Sequence, residues 1–171
     1  YLLDRTFASK GIGYFGLMGY GYRGHIDGEN NGTMPVNISA YNIISQGWVH
    51  PQTVTSTTQQ IQLIPSDKGS SGFNIIKIPI DSGNNPKNYY LIENRVKTST
   101  TGYDYGFYGM EDGNFSGGLI VWKVNENRID FGNSQVNSKL VDFVEYDEDN
   151  GLDTNLHFGK SSSLYKENDT T

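Results

Sequence analysis

Along this chain the apolar positions keep two different periods, one in front and another behind. Ile38, Tyr41 and Ile44 recur at helical spacing around Ala40, which predicts a helix over about 36–46. Thr33 or Asn37 stands where a cap belongs, and Pro35 suits a first helical turn. Gly47 falls where a left-handed C-terminal residue is expected. After Trp48 the period drops to two. The stretches 58–65, 73–80, 88–96, 117–126 and 140–147 alternate and are rich in β-branched and aromatic residues, which predicts strands. In "NYYLIENRV" the alternation puts Tyr89, Leu91, Glu93 and Arg95 on one face. Glu93 and Arg95 are then same-face neighbours and predict a structural ion pair or cross-strand contact. The connection "STTGYDYGFYGMEDGNFSG" is too long for a hairpin, so it is expected to be functional or to wrap another segment.

The front of the chain keeps neither period. "KGIGYFGLMGYGYRG", Lys10 to Gly24, holds six glycines and four aromatic residues around Met18-Gly19. Glycine weakens regular elements but lets backbone approach backbone closely, so a tight turn against a large neighbour is expected. "HIDGENNGTMP" after it is a turn-rich polar excursion. These patterns predict an α+β, mostly β fold over 1–171 as a single unit. It would comprise a glycine-rich loop region (1–35), a helix (36–47) and a β-rich region (48–171) forming an antiparallel sheet or a sandwich.

Composition narrows the chemistry. The 171 residues include no cysteine, which excludes disulfides, thiolate metal sites and cysteine nucleophiles. Thirteen basic residues against nineteen acidic ones give a net charge of −6 with no basic stripe, an unsuitable surface for nucleic acid. No apolar run reaches the roughly 20 residues of a membrane helix, so neither nucleic acid nor membrane is expected as a partner. The chain opens "YLLDRTF" without an initiator methionine, which predicts a piece of a longer polypeptide. His25, His50 and His157 are far apart, so no zinc pair of the H-x-x-x-H kind is present. "GIGYFG" has the letters of a dinucleotide loop without its strand–turn–helix context, and Ser116 lacks a hydrolase elbow. "DEDNGLD" sets Asp147, Asp149 and Asp153 at alternating positions around Gly151. Calcium loops need carboxylates so spaced and a glycine for the turn, which makes the three aspartates candidate calcium ligands; a solvated acidic turn is the alternative.

Several blocks in order, "GIGYFGLMGYG", "GTMPVNISAYNIISQGWV", "YYLIENR", "GGLIVWKVNEN" and "VDFVEYDEDNG", resemble the immune inhibitor A family of secreted bacterial zinc metallopeptidases. The resemblance runs from about Asp4 to Leu164, and "YLLD" is similar to the segment just after that family's H-E-x-x-H helix. It implies the C-terminal part of a metalloendopeptidase catalytic domain, secreted or cell-surface and bacterial. Zinc would be held by ligands upstream of this chain, in a domain hydrolysing protein or peptide substrates through a zinc-activated water. It implies that Met18 is the Met-turn methionine, an apolar floor under the zinc ligands. Tyr20, two residues later, has the spacing of an oxyanion-stabilising tyrosine in related Met-turn peptidases. This chain by itself contains neither the paired histidines nor the general-base glutamate, so alone it is expected to be inactive, its partner being the upstream part of the domain. Two alternatives stand beside this. One is a non-catalytic extracellular binding module for carbohydrate or cell surface, presenting Tyr103, Tyr105, Phe107 and Tyr108; the other is a degenerate peptidase homologue.

Overall fold

A computed structural model describes residues 9–26, 28–55, 61–66, 75–97, 103–109, 115–129, 132–133, 135 and 137–166. The expectations for Tyr1 to Asp4 and for strand residues 58–60 and 73–74 lie outside the described residues. One helix, α1 (Ala40–Ser45), precedes five strands: β1 (Gln52–Thr53), β2 (Ile76–Pro79), β3 (Asn88–Val96), β4 (Gly117–Asn125) and β5 (Val141–Phe143). They form one sheet in the order β1-β2-β3-β4-β5. The fold is α+β and mostly β, and among the described residues it is a sheet rather than a sandwich. β2 through β5 pair antiparallel, but β1 lies parallel to β2, a pairing the period-two pattern did not announce.

The long central strands follow their sequence pattern closely. β3 alternates half-buried and buried over nine residues, so Tyr89, Leu91, Glu93 and Arg95 all face the covered side. Opposite them Ile120, Trp122 and Val124 of β4 point the same way, joined by Val141 and Phe143 of β5. Because side chains alternate with a period of two, this register commits the whole apolar set to one face. Covering that face are α1 and the glycine-rich loop, through Ile12, Phe15, Val36, Ala40 and Tyr41. Phe15 stacks flat on Phe143 at 4.2 Å between ring centres, and Trp122 meets Phe143 edge-on.

α1 begins four residues later than its periodicity predicts. The reason is tertiary: backbone groups of residues 36–38 are already taken. Val36 N–H donates to Gly21, Asn37 N–H donates to the Asp104 carboxylate, and the Asn37 carbonyl accepts from Leu17 N–H. Its end does follow the sequence. Gly47 adopts φ +72°, with Gly47 N–H on Ile44 O and Trp48 N–H on Ile43 O, the paired bonds of a Schellman motif. The described 103–109 part of the long connection before β4 packs against the front loop. Its 3-10 segment Tyr103–Gly109 buries Asp104 and Phe107, and its Gly106 carbonyl accepts from His25 N–H.

Candidate functional site

Met18 and Tyr20 lie in a knot of backbone. Gly19 and Gly21 N–H both donate to Gly16 O, while Tyr20 N–H reaches back to Gly13 O at 2.7 Å. The glycines are needed because the loop passes over itself. A Cβ at Gly19 would overlap Gly13 O and Ile12, and one at Gly21 would overlap Val36 and Gly16. Gly13 has φ +53° and sits against the Phe158 carbonyl. Met18 is half-buried and packs against the core from its rim. Tyr20, also half-buried, sets its ring edge-on to Phe158 at 4.2 Å and lies alongside Tyr22.

Two polar hubs brace this knot, one directly and the other through the loop that touches it. The first is built on β3. Arg95, completely buried, donates from Nε and Nη2 to both oxygens of Asp104, from Nη1 to Phe15 O at 3.2 Å, and from Nη2 to Asn37 O. A fork-shaped cation is the side chain that can address a carboxylate and two carbonyls together. Beside it, Glu93 Oε1 accepts from Trp122 Nε1 at 2.7 Å and from Ala40 N–H at 3.2 Å, and lies 3.5 Å from Arg95 Nη1. Burial pushes the Glu93 carboxyl up, against the opposing pull of Arg95, Trp122 and Ala40. Desolvation opposes the Arg95 charge, but Asp104 and Glu93 outweigh it and hold the guanidinium above its usual range. The same-face pair expected from the alternation is therefore a structural clamp. It ties the glycine knot, the start of α1 and the 103–109 segment to the sheet.

The second hub lies in the acidic loop after β5. Asp149 accepts from Gly151 N–H at 2.8 Å, from Lys160 Nζ at 2.8 Å and from His157 Nε2 at 3.1 Å. Gly159 N–H donates to His157 Nδ1. That partner assigns the tautomer: in the neutral ring Nδ1 is the acceptor and Nε2 carries the proton given to Asp149. Behind them Glu145 Oε1 accepts from Leu152 N–H, while its buried Oε2 has no hydrogen-bond partner and lies 3.9 Å from His157 Nε2. Burial pushes the Glu145 carboxyl up to about 7; Leu152 N–H opposes this, and the Asp149 and Asp147 carboxylates add to it. Asp149 goes the other way. The modest burial penalty is outweighed by Lys160, Gly151 and His157, which hold it well below the usual carboxylate range.

The hub shapes the loop that cradles the knot. Lys10 N–H donates to Leu152 O and Tyr14 N–H to Phe158 O, and Lys10 Nζ sits over the Phe158 ring. Gly151 leaves no space for a side chain beneath the His157 ring, and Gly159 leaves none beneath Phe15. Met18 and Tyr20 thus owe their positions to residues more than a hundred positions away. Glu145, His157 and Lys160 were not legible as partners in advance. His157 looked isolated because its carboxylate neighbours are brought to it by a loop and not by short-range spacing.

The three candidate calcium ligands each take a separate partner. Asp147 accepts from Ser162 and Ser163, Asp149 serves the hub, and Asp153 pairs with the buried Lys139, which also bonds Asp142. Among the described residues, Glu145, Asp149 and His157 form the group of metal-ligating types that comes together. As built, His157 Nε2 offers that group a proton and not a lone pair, and Lys160 supplies the positive charge. For zinc the histidines stay dispersed: His25 Nδ1 is near Arg23 O, His50 is exposed, and His157 belongs to the hub. Residues described here therefore do not fit a catalytic zinc centre. Of the aromatic residues in the 103–109 segment, Phe107 is core, packed on Phe115 and Phe15. Tyr105 lies under Lys97, and Tyr103 is exposed. No protein-family model, curated protein or solved structure matches this chain.

Proposed function

We infer that this chain is the C-terminal part of a zinc metalloendopeptidase catalytic domain, in which it provides the floor and rim of a metal site whose ligands lie upstream. The observation that carries this reading is the Met18-Gly19-Tyr20 turn. A half-buried, polarisable methionine stands at the edge of the core on a backbone knot whose glycines admit no Cβ. Such a turn places a thioether at a defined depth, where it can pack against apolar ring edges without competing as a strong ligand. The order of the sequence blocks from Gly11 to Gly151 supports the same reading. In it the role of this chain is positioning. Arg95 holds the knot, Asp149 shapes the loop that touches it, Met18 lines the floor, and Tyr20 offers its hydroxyl as an oxyanion partner.

The test is a longer polypeptide that includes the coding region immediately upstream of Tyr1. The expected result is an H-E-x-x-H segment there and casein hydrolysis that a chelator abolishes and added zinc restores. An uninterrupted upstream frame without that segment, or a folded extended protein without chelator-sensitive hydrolysis, overturns the reading. In an active protein, Tyr20→Phe should lower kcat by about 10- to 100-fold with little change in KM if the hydroxyl meets the oxyanion. Unchanged turnover would leave Tyr20 as a packing residue on Phe158.

A further inference from the structure

The opposite face of the sheet carries chemistry that the peptidase reading does not use. Where β3, β4 and β5 run side by side, Asn88 lies opposite Asn125, and Tyr90, Lys123 and Asp142 form one cross-strand row. Their side chains point away from the core because Tyr89, Trp122 and Val141 point into it. Two neighbouring clefts, of about 300 Å³ and about 470 Å³, share Lys123, Asp142 and Asp153. Tyr90 and Tyr165 line the larger one. Tyr165 is braced edge-on against Tyr146 at 5.1 Å.

Beneath the shared wall lies Lys139, whose side chain is only 1% exposed while those of Asp142 and Asp153 are 35% and 34% exposed. Lys139 Nζ bonds both carboxylates. A buried ammonium thus holds two carboxylates from below and leaves their outer edges toward the groove. Burial pushes the Asp142 carboxyl up, and Lys139 and Lys123 counter it.

The lining selects its ligand class by exclusion. In the smaller cleft two lysines face two aspartates among amides and a serine hydroxyl, so neither a phosphate nor a simple cation finds uncompensated charge there; the larger cleft adds Glu145 and Glu148 and repels a phosphate further. Apolar lining is minor there, so a lipid or an apolar peptide side chain gains little. What the two clefts offer together is a dense set of donors and acceptors beside Tyr90 and Tyr165. Hydroxyl groups on adjacent carbons can donate to fixed carboxylates, accept from Asn125 and Lys123, and leave a C–H face for Tyr90. We propose that the groove formed by Tyr90, Lys123, Asn125, Asp142 and Asp153 on the open face of β3–β5 binds neutral oligosaccharides. The Met18 turn packs on the other face of the sheet, while Glu145 of the second hub also lines the larger cleft.

The test is titration of the whole chain with cellotetraose, chitotetraose, xylotetraose and mannotetraose, followed by NMR shifts and calorimetry. Oligolysine, oligoglutamate and a sulfated oligosaccharide serve as charged probes. Saturable binding of at least one neutral sugar with a Kd of roughly 1 mM or tighter is expected. Tyr90→Ala should weaken it by about 5- to 10-fold while the melting temperature stays close to that of the parent. Asn125→Ala should weaken it similarly and also lower the melting temperature slightly, because Asn125 Oδ1 accepts from Asn127 N–H and caps the 126–128 turn. Neither residue holds Lys139, and Tyr90→Ala separates recognition from folding. Absence of saturable binding across the four sugars overturns the proposal. So does binding of only the charged probes, or neutral-sugar binding that neither substitution weakens. None of these outcomes depends on hydrolysis, so they leave the peptidase reading untouched.

Discussion

Both hubs brace the same glycine knot, yet they place their charges in different surroundings. Around Arg95 every charged partner is buried: Asp104, Glu93 and the guanidinium are each 1% exposed or less. Around Asp149 the acceptor and the lysine are each about one third exposed, at 33% and 37%, and only Glu145 and His157 are buried. In the first hub the ions have lost water entirely and depend on one another; Glu93 Oε2 already lacks a hydrogen-bond partner, so losing the guanidinium strands both carboxylates. In the second, water can replace a lost partner on the open side, and the buried members are Glu145 and His157. The buried hub is therefore expected to act as an all-or-none support of the fold. The exposed hub should act as a graded support whose strength follows pH.

The sharpest way to break this comparison is to remove the guanidinium. Arg95→Met leaves Asp104 and Glu93 buried without their cation and should cost about 3–5 kcal/mol in urea unfolding, enough to unfold a marginal domain. A loss below about 1 kcal/mol would show that the hub is dispensable. Next comes pH. Glu145 rises from 4.5 to about 7 on folding, so between those values the folded state binds more protons than the unfolded one. Stability contributed by the protonated carboxyl is fully present below 4.5 and is lost as pH rises through about 7. The full swing is at most roughly 3 kcal/mol at 1.4 kcal/mol per unit. Glu145→Gln should flatten the dependence, measured as urea midpoints from pH 4.5 to 8. An unchanged slope would place its source elsewhere. Asp149 works in the opposite sense, because its carboxyl is lowered. The stability it contributes is present above the ordinary aspartate range and is lost as pH falls below it.

A smaller effect tests the contact between knot and loop. Gly13→Ala must hold φ +53° and push against the Phe158 carbonyl and Leu152, at an expected cost of about 2–3 kcal/mol. Gly28, at φ +78° with nothing within 4 Å of a new Cβ, should lose no more than about 1 kcal/mol on the same change. Equal losses at the two sites would mean that the knot does not bear on the loop. The smallest effect is predicted for Lys160→Met. Its ion pair with Asp149 is partly exposed, so solvent screening limits the loss to under about 1 kcal/mol, and the loss should shrink in high salt.

Much of the scaffold is legible in the sequence alone. The nine-residue alternation of "NYYLIENRV" requires one face to be covered, and Glu93 and Arg95 fall on it with Tyr89 and Leu91. Gly47 ends α1 because only a residue tolerant of positive φ closes those last two hydrogen bonds. The local pattern could not show that Asn37 and its neighbours would be claimed by Arg95, Asp104 and Gly21, and so it started the helix too early. Nor could it show β1: two residues pair parallel to β2 only because the sheet already exists.

For the functional region the division is sharper. The crowd of glycines around Met18 is a local statement, that the backbone there must pass close to itself, and the chain alone makes it. Which residues it passes was decided in three dimensions. Tyr20 meets Phe158, Phe15 meets Arg95, and His157 meets Asp149 through contacts between distant or loop-borne segments, whose spacing in sequence carries no periodic signal. Periodicity records which face of an element is covered. The partner that covers it depends on loop closure and on charges that must find one another once water is gone, and that is settled only when the whole chain folds.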